Sequence, residues 1–297
     1  MKISYHDFWR QRAELAFIAF MLFGLLISVS CQAADVVQVQ PAKTRLIIAP
    51  GDSRAGTIIV SNPEKEAKNV KVYLEDWKYL PPYDGTKDFK PASTTELSAT
   101  NWISFVPSEF TIPAYGTQTI NYKVKVPPNA SGGHYAVLFF ENYLGEQAQS
   151  TEGVRINLAV RVAALFYIEP KGTINRKVQI DDLKFERRNN KDYITANFIN
   201  AGNVDYTVKS NFFIIDKQGM VYARGDFNDV YTFPQDAAVL KSSWKENVPR
   251  GKYDLVLTMD IGTALKEANL GEIPVITKEA QIEIGENGGI IRIGELK

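Results

Sequence analysis

The stretch Val154-Arg155-Ile156-Asn157-Leu158-Ala159-Val160-Arg161-Val162 places a large aliphatic at every second position, with Arg, Asn, Ala and Arg between them. In an extended chain successive side chains point to opposite faces, so the segment reads as a β-strand with one apolar and one polar face. A helix, with its 3.6-residue period, would scatter the same aliphatics around its circumference. The run continues through Ala163-Ala164-Leu165-Phe166-Tyr167 and ends at Glu169-Pro170-Lys171-Gly172, where Pro and Gly break it. Taken alone, this alternation fits an ordinary sandwich strand as well as one that pairs with a partner.

The same short period extends in both directions. Before the long strand, Arg45–Ala49, Ala55–Ser61, Val70–Trp77, Gln118–Val126 and Ala136–Glu141 read as strands, most of them bounded by Pro, Gly or Asn. After it, Tyr193–Ile199, Tyr206–Ile215, Met220–Arg224, Tyr253–Met259, Ala280–Ile284 and Ile290–Ile293 read the same way. Asn200-Ala201-Gly202-Asn203, Asp216-Lys217-Gln218-Gly219 and Glu286-Asn287-Gly288-Gly289 are read as hairpin turns between them. One short helix is expected around Ala264–Asn269, stopped by Gly271. Many short strands with turn residues at intervals predict an all-β chain of two sandwiches in tandem. The division falls at the Pro-Gly break, giving domains over 35–168 and 169–297.

Residues 1–34 read as a signal peptide. Lys2, Arg10 and Arg12 precede an apolar run from Leu15 to Val29, and small residues follow around Cys31-Gln32-Ala33-Ala34. Export through a cleavable signal, to the periplasm, is the expectation; the alternatives are lipidation at Cys31 and a retained N-terminal anchor. Cys31 is the single cysteine, so no intramolecular disulfide can form. Lys plus Arg and Asp plus Glu both number 34; there is no net field to gather nucleic acid, and no nucleic-acid partner is expected.

Several segments resemble the periplasmic chaperones of the pilus chaperone–usher pathway. They are Thr44-Arg45 within Lys43–Ile48, the strand Gly56–Ser61 ending at Asn62, and Val70–Trp77 with Asp76 before the Trp. Phe105–Pro113 with its two prolines and Ala164-Leu165-Phe166-Tyr167-Ile168-Glu169-Pro170 complete the set. The resemblance spans about Val37 to Pro170 and is weak beyond it. It implies two immunoglobulin-like domains and a client-binding strand whose aliphatic row here is Val154, Ile156, Leu158, Val160 and Val162. It also implies Arg45 as a ligand for the client's terminal carboxylate, with Ala164 standing where the family has Lys. For Arg45 the alternative is a solvated charge at a strand end. The implied partners are an exported pilin-like subunit and an outer-membrane usher, with β-augmentation as the binding mode.

Catalytic chemistry finds little support. His134 is the one histidine after residue 35, no cysteine remains there, and no zinc or Ser-His-Asp pattern is present. Glu75-Asp76 and Asp181-Asp182 are carboxylate pairs without a surrounding motif, and Gly225-Asp226-Phe227-Asn228-Asp229 lacks EF-hand spacing. No catalytic residue, metal ligand or small-molecule cofactor is predicted. The aromatics Trp77, Tyr79, Tyr83, Phe89 and Trp102 around Leu80-Pro81-Pro82 are assigned to packing, with a sugar- or peptide-contacting patch as the other reading. The alternative function is a non-catalytic structural or adhesive envelope protein with the same domains.

Overall fold

Strand β8 (Thr117–Lys125) shows how sequence alternation becomes packing. Ile120, Tyr122 and Val124 turn inward, while Thr119, Asn121 and Lys123 alternate toward solvent. It lies in a four-stranded sheet in the order β1 (Gln38–Gln40), β3 (Ser53–Ser61), β8, β6 (Ile103–Val106). Facing it is a six-stranded sheet in the order β2 (Lys43–Ile48), β10 (Arg155–Pro170), β9 (His134–Gln149), β4 (Lys68–Tyr79), β5 (Lys87–Pro91), with β7 (Glu109–Ile112) on β4. Ile58, Val60 and Ile120 from one sheet meet Leu138, Phe140, Phe166 and Ile168 from the other, all fully buried.

A second sandwich follows. Its three-stranded sheet is β11 (Val178–Arg188), β12 (Lys191–Asn200), β16 (Ala237–Trp244). The opposing sheet runs β14 (Val221–Asp226), β13 (Tyr206–Ile215), β17 (Gly251–Asp260), β18 (Ile276–Ile284), β19 (Ile290–Ile293), with β15 (Val230–Thr232) on β13. Phe198 and Leu240 pack on Phe212, Leu255 and Leu257. Helix α1 (Thr263–Glu267) is the short helix expected near 264–269. The chain is thus all-β, two immunoglobulin-like sandwiches in tandem. The computed structural model describes residues 36–149, 155–189, 191–286 and 288–297, without the side chains of 144–149 and 155–158. The signal-peptide reading of residues 1–34, including Cys31, lies outside the described residues.

One turn differs from expectation. Asn200-Ala201-Gly202-Asn203 does not close a hairpin: β12 pairs with β11 and β16, whereas β13 belongs to the opposite sheet. The Asn200 side chain holds this corner, donating to the Val204 carbonyl at 2.9 Å and accepting from the Gly202 N–H at 3.1 Å. Val204 and Tyr206 are thereby buried at the start of β13. The turns at 216–219 and 286–289 do join paired strands.

The outer face of the six-stranded sheet is covered too. Trp77, Tyr79, Tyr135, Phe139 and Tyr167 form a third cluster, capped by Phe233 from the segment after β15. Phe233 stacks on Tyr135 with ring centroids 4.0 Å apart. Tyr83 adds a strap from the Pro-rich loop, its carbonyl accepting from Tyr231 N–H at 2.9 Å. Packing therefore accounts for Trp77, Tyr79 and Tyr83, and Phe89 lies edge-on to Phe139 at 4.9 Å.

Candidate functional site: the free edge of the long strand

β10 has two neighbours along only part of its length. β9 pairs with it, antiparallel, from Arg155 to Ile168. β2 pairs with it in parallel from Leu165 to Pro170 only, beginning at Lys43. From Arg155 to Ala164, then, β10 has no partner on its outer side among the described residues. Leu165 donates its N–H outward to Ala42 O at 2.9 Å. Backbone polarity alternates along a strand, so Ala163, Arg161 and Ala159 direct their N–H and C=O groups to the same open side. The register irregularities in this stretch leave extra residues on β9, so β10 keeps its alternation.

The aliphatic row follows from the same parity. Ile168, Phe166 and Ala164 are buried in the first core, and Val162 and Val160 continue their face as half-buried residues. Ile156 and Leu158 belong to the strand by their backbone, but their side chains lie outside the described residues, as does the whole of Val154. Arg161 stands on the opposite face. Its guanidinium lies 4.2 Å from the Phe139 ring centroid and 3.2 Å from Glu75.

Arg45 is placed quite differently from a solvated strand-end charge. Its side chain is 2 % exposed, and it donates to both Asp205 oxygens, at 2.9 and 2.5 Å, and to Glu169 at 2.6 Å. Arg176 binds the other oxygen of Glu169 at 2.6 Å. Below lies the Tyr167 ring, 4.6 Å from the guanidinium carbon. Burial opposes the charge, but Asp205 and then Glu169 override it and raise the Arg45 pKa above its ordinary range. The group is committed within the chain, tying β2 to the turn before β13. Ala164, 1 % exposed, faces the first core.

The sequence reading missed Glu169, Asp205 and Arg176. One signal was present: a carboxylate set between Ile168 and Pro170 at the end of an apolar run implies a buried partner. The other candidates are accounted for locally. Asp76 is buried and accepts from the N–H groups of Thr94 and Thr95 and from Ser98 Oγ, while Glu75 pairs with Arg161. His134 lies 4.2 Å from the Trp102 ring, its Nδ1 3.1 Å from Gly132 O. Among the described residues no three His, Cys, Asp or Glu side chains converge to hold a metal, and no helix is long and apolar enough to cross a membrane.

Comparison with solved structures places this geometry beside known proteins. The class 5 fimbriae chaperone CfaA is 16% identical over 82% of this chain and 97% of its own, with a TM-score of 0.47. The Pseudomonas aeruginosa CupB2 chaperone is 14% identical over 78% of this chain and 95% of its own, at 0.40. A chain from the Salmonella enterica complex of SafA pilin with the SafB chaperone is 15% identical over 82% of this chain and 96% of its own, at 0.38. In fold, the chain is similar to fimbrial chaperones. No protein-family model matches it, and no curated protein matches it significantly.

Proposed function

We propose that this protein is a non-catalytic, periplasmic chaperone-like protein that binds an exported, β-rich subunit by adding β10 to the client as an extra strand. The observation that supports this reading is the open edge from Arg155 to Ala164, flanked by an aliphatic row that runs out of the first core. Such an edge supplies main-chain hydrogen bonds, and alternate side chains supply the fit to the client's pockets. Burying Val160, Val162 and the aliphatics upstream of them would contribute about 1.5–3 kcal/mol each before ordering costs. Left open, the same edge invites aggregation. Division into domains at 168/169, export through residues 1–34 and an usher as second partner belong to this proposal. The carboxylate role for Arg45 is the part its surroundings support least.

The test separates strand addition from folding. Ala159 is exposed and its N–H points to the open side, so Ala159→Pro removes an edge donor without removing a β9 bond. Val160→Glu places a charge in the row. The full chain is purified from its native envelope and co-purifying proteins are identified by mass spectrometry. A small β-rich subunit recovered with the wild type and lost in both variants, at unchanged thermal unfolding, is expected. Recovery of the same subunit with both variants would refute strand addition and favour the structural or adhesive reading, which the buried Ala164 and the committed Arg45 already suit.

A further inference from the structure

A molecule with one open strand edge is put at risk by a second, because copies can then join head to tail in a contact that never closes. Among the described residues the longest strands that end a sheet are β11, with 11 residues, and β16, with 8. β11 is broken by a bulge between Asp181 and Lys184, and its exposed Asp182, Lys184, Glu186 and Arg188 discourage pairing. β16 has neither defence. Its pairing with β12 is regular, Lys241 is its one charge, and Val239 is 41 % exposed.

β12 takes one side of β16, and on the other side Val239 and Lys241 direct their main-chain groups outward. A single residue meets them. Asn228, exposed in the loop between β14 and β15, accepts the Lys241 N–H on Oδ1 at 2.6 Å and donates its own N–H to the Lys241 carbonyl at 3.2 Å. Its Nδ2 donates, more weakly, to the Val239 carbonyl at 3.5 Å. Beside it, Ser242 Oγ donates to the Asp226 carbonyl at 2.6 Å. Asn228 thus pairs with β16 as a strand one residue long would.

We propose that Asn228 guards the β16 edge by occupying the donor and acceptors that an incoming strand would need. The strand it excludes is β10 of a second copy, whose outer side is open from Arg155 to Ala164 among the described residues. β10 on β16 is a heterologous contact. Each copy added would present a fresh β10, so growth would continue without a closed end. The guard rests on the open edge of β10 but not on what that edge binds, so self-association and client capture are separate results.

Asn228→Ala frees the Lys241 N–H and the Val239 carbonyl. The full chain and this variant are compared by size-exclusion chromatography with light scattering over a wide range of concentrations. The wild type is expected to keep one mass, and Asn228→Ala to grow to larger assemblies as concentration rises. Two second changes, each made in the Asn228→Ala chain, identify the strands involved. Val239→Lys places a charge on the freed edge, and Ala159→Pro removes an outward donor from β10. Each is expected to return the wild-type mass, which neither would do for a chain that aggregates because it has unfolded. Two results would overturn the proposal: Asn228→Ala keeping the wild-type mass at every concentration, or association that persists with either second change.

Discussion

Replacing Arg45 by methionine removes three charge-assisted hydrogen bonds in one step, two to Asp205 and one to Glu169. Glu169 keeps Arg176 at 2.6 Å, but Asp205 is left with a side chain 1 % exposed and no cation. Breaking a buried pair from one side costs about 3–5 kcal/mol, because a desolvated charge is stranded. At about 2–4 °C per kcal/mol for a chain of this size, unfolding should shift down by about 6–20 °C. Removing both partners behaves differently. Arg45→Met with Asp205→Leu leaves no stranded charge and should recover most of the loss. Urea unfolding followed by tryptophan fluorescence measures both variants, since Trp77 packs in the aromatic cluster and Trp244 in the second core. A single-variant cost below about 1 kcal/mol would refute the reasoning, because an exposed pair is worth no more than that. The double variant also tests Arg45 as a client ligand: restored stability with normal client capture assigns it to holding the fold, and restored stability with lost capture assigns it to the client.

Other outcomes follow from single residues. Burial holds the His134 imidazole below its ordinary pKa of 6.5, with the Gly132 carbonyl opposing. The unfolded chain therefore takes up the proton first, so the stability tied to the neutral ring is complete above pH 6.5 and is lost as pH falls below it. His134→Gln should flatten the change in urea midpoint between about pH 7.5 and about pH 5.5; an identical slope in both proteins would exclude His134 as its source. Asn142 is fully buried on β9, and neither polar atom of its side chain has a hydrogen-bond partner among the described residues. Asn142→Leu should stabilise the protein by about 1–3 kcal/mol, and a lower unfolding temperature would count against a stranded amide.

Period-two alternation is a local property, and it carried most of the architecture. It determined that Arg155–Val162 is a strand, that the chain is built of sandwiches, and that Arg161 and Ala164 stand on opposite faces, as they do. The turn at Asn200–Asn203 shows where local reading stops. Gly and Asn mark a reversal of the chain, but whether the next strand returns beside β12 or crosses to the facing sheet depends on which core buries Val204 and Tyr206. Arg45 shows the same limit more sharply. A residue type signals charge, not surroundings, and the partners of Arg45 lie 124 and 160 positions away. Only the folded chain could decide that its guanidinium would be spent on Glu169 and Asp205. The open edge is divided in the same way. The aliphatic row was legible in the sequence from residue spacing alone. That, among the described residues, the outer side of β10 is unpartnered from Arg155 to Ala164 was not, because it depends on β2 joining it only from Leu165 onward, a register set by how two distant segments pack.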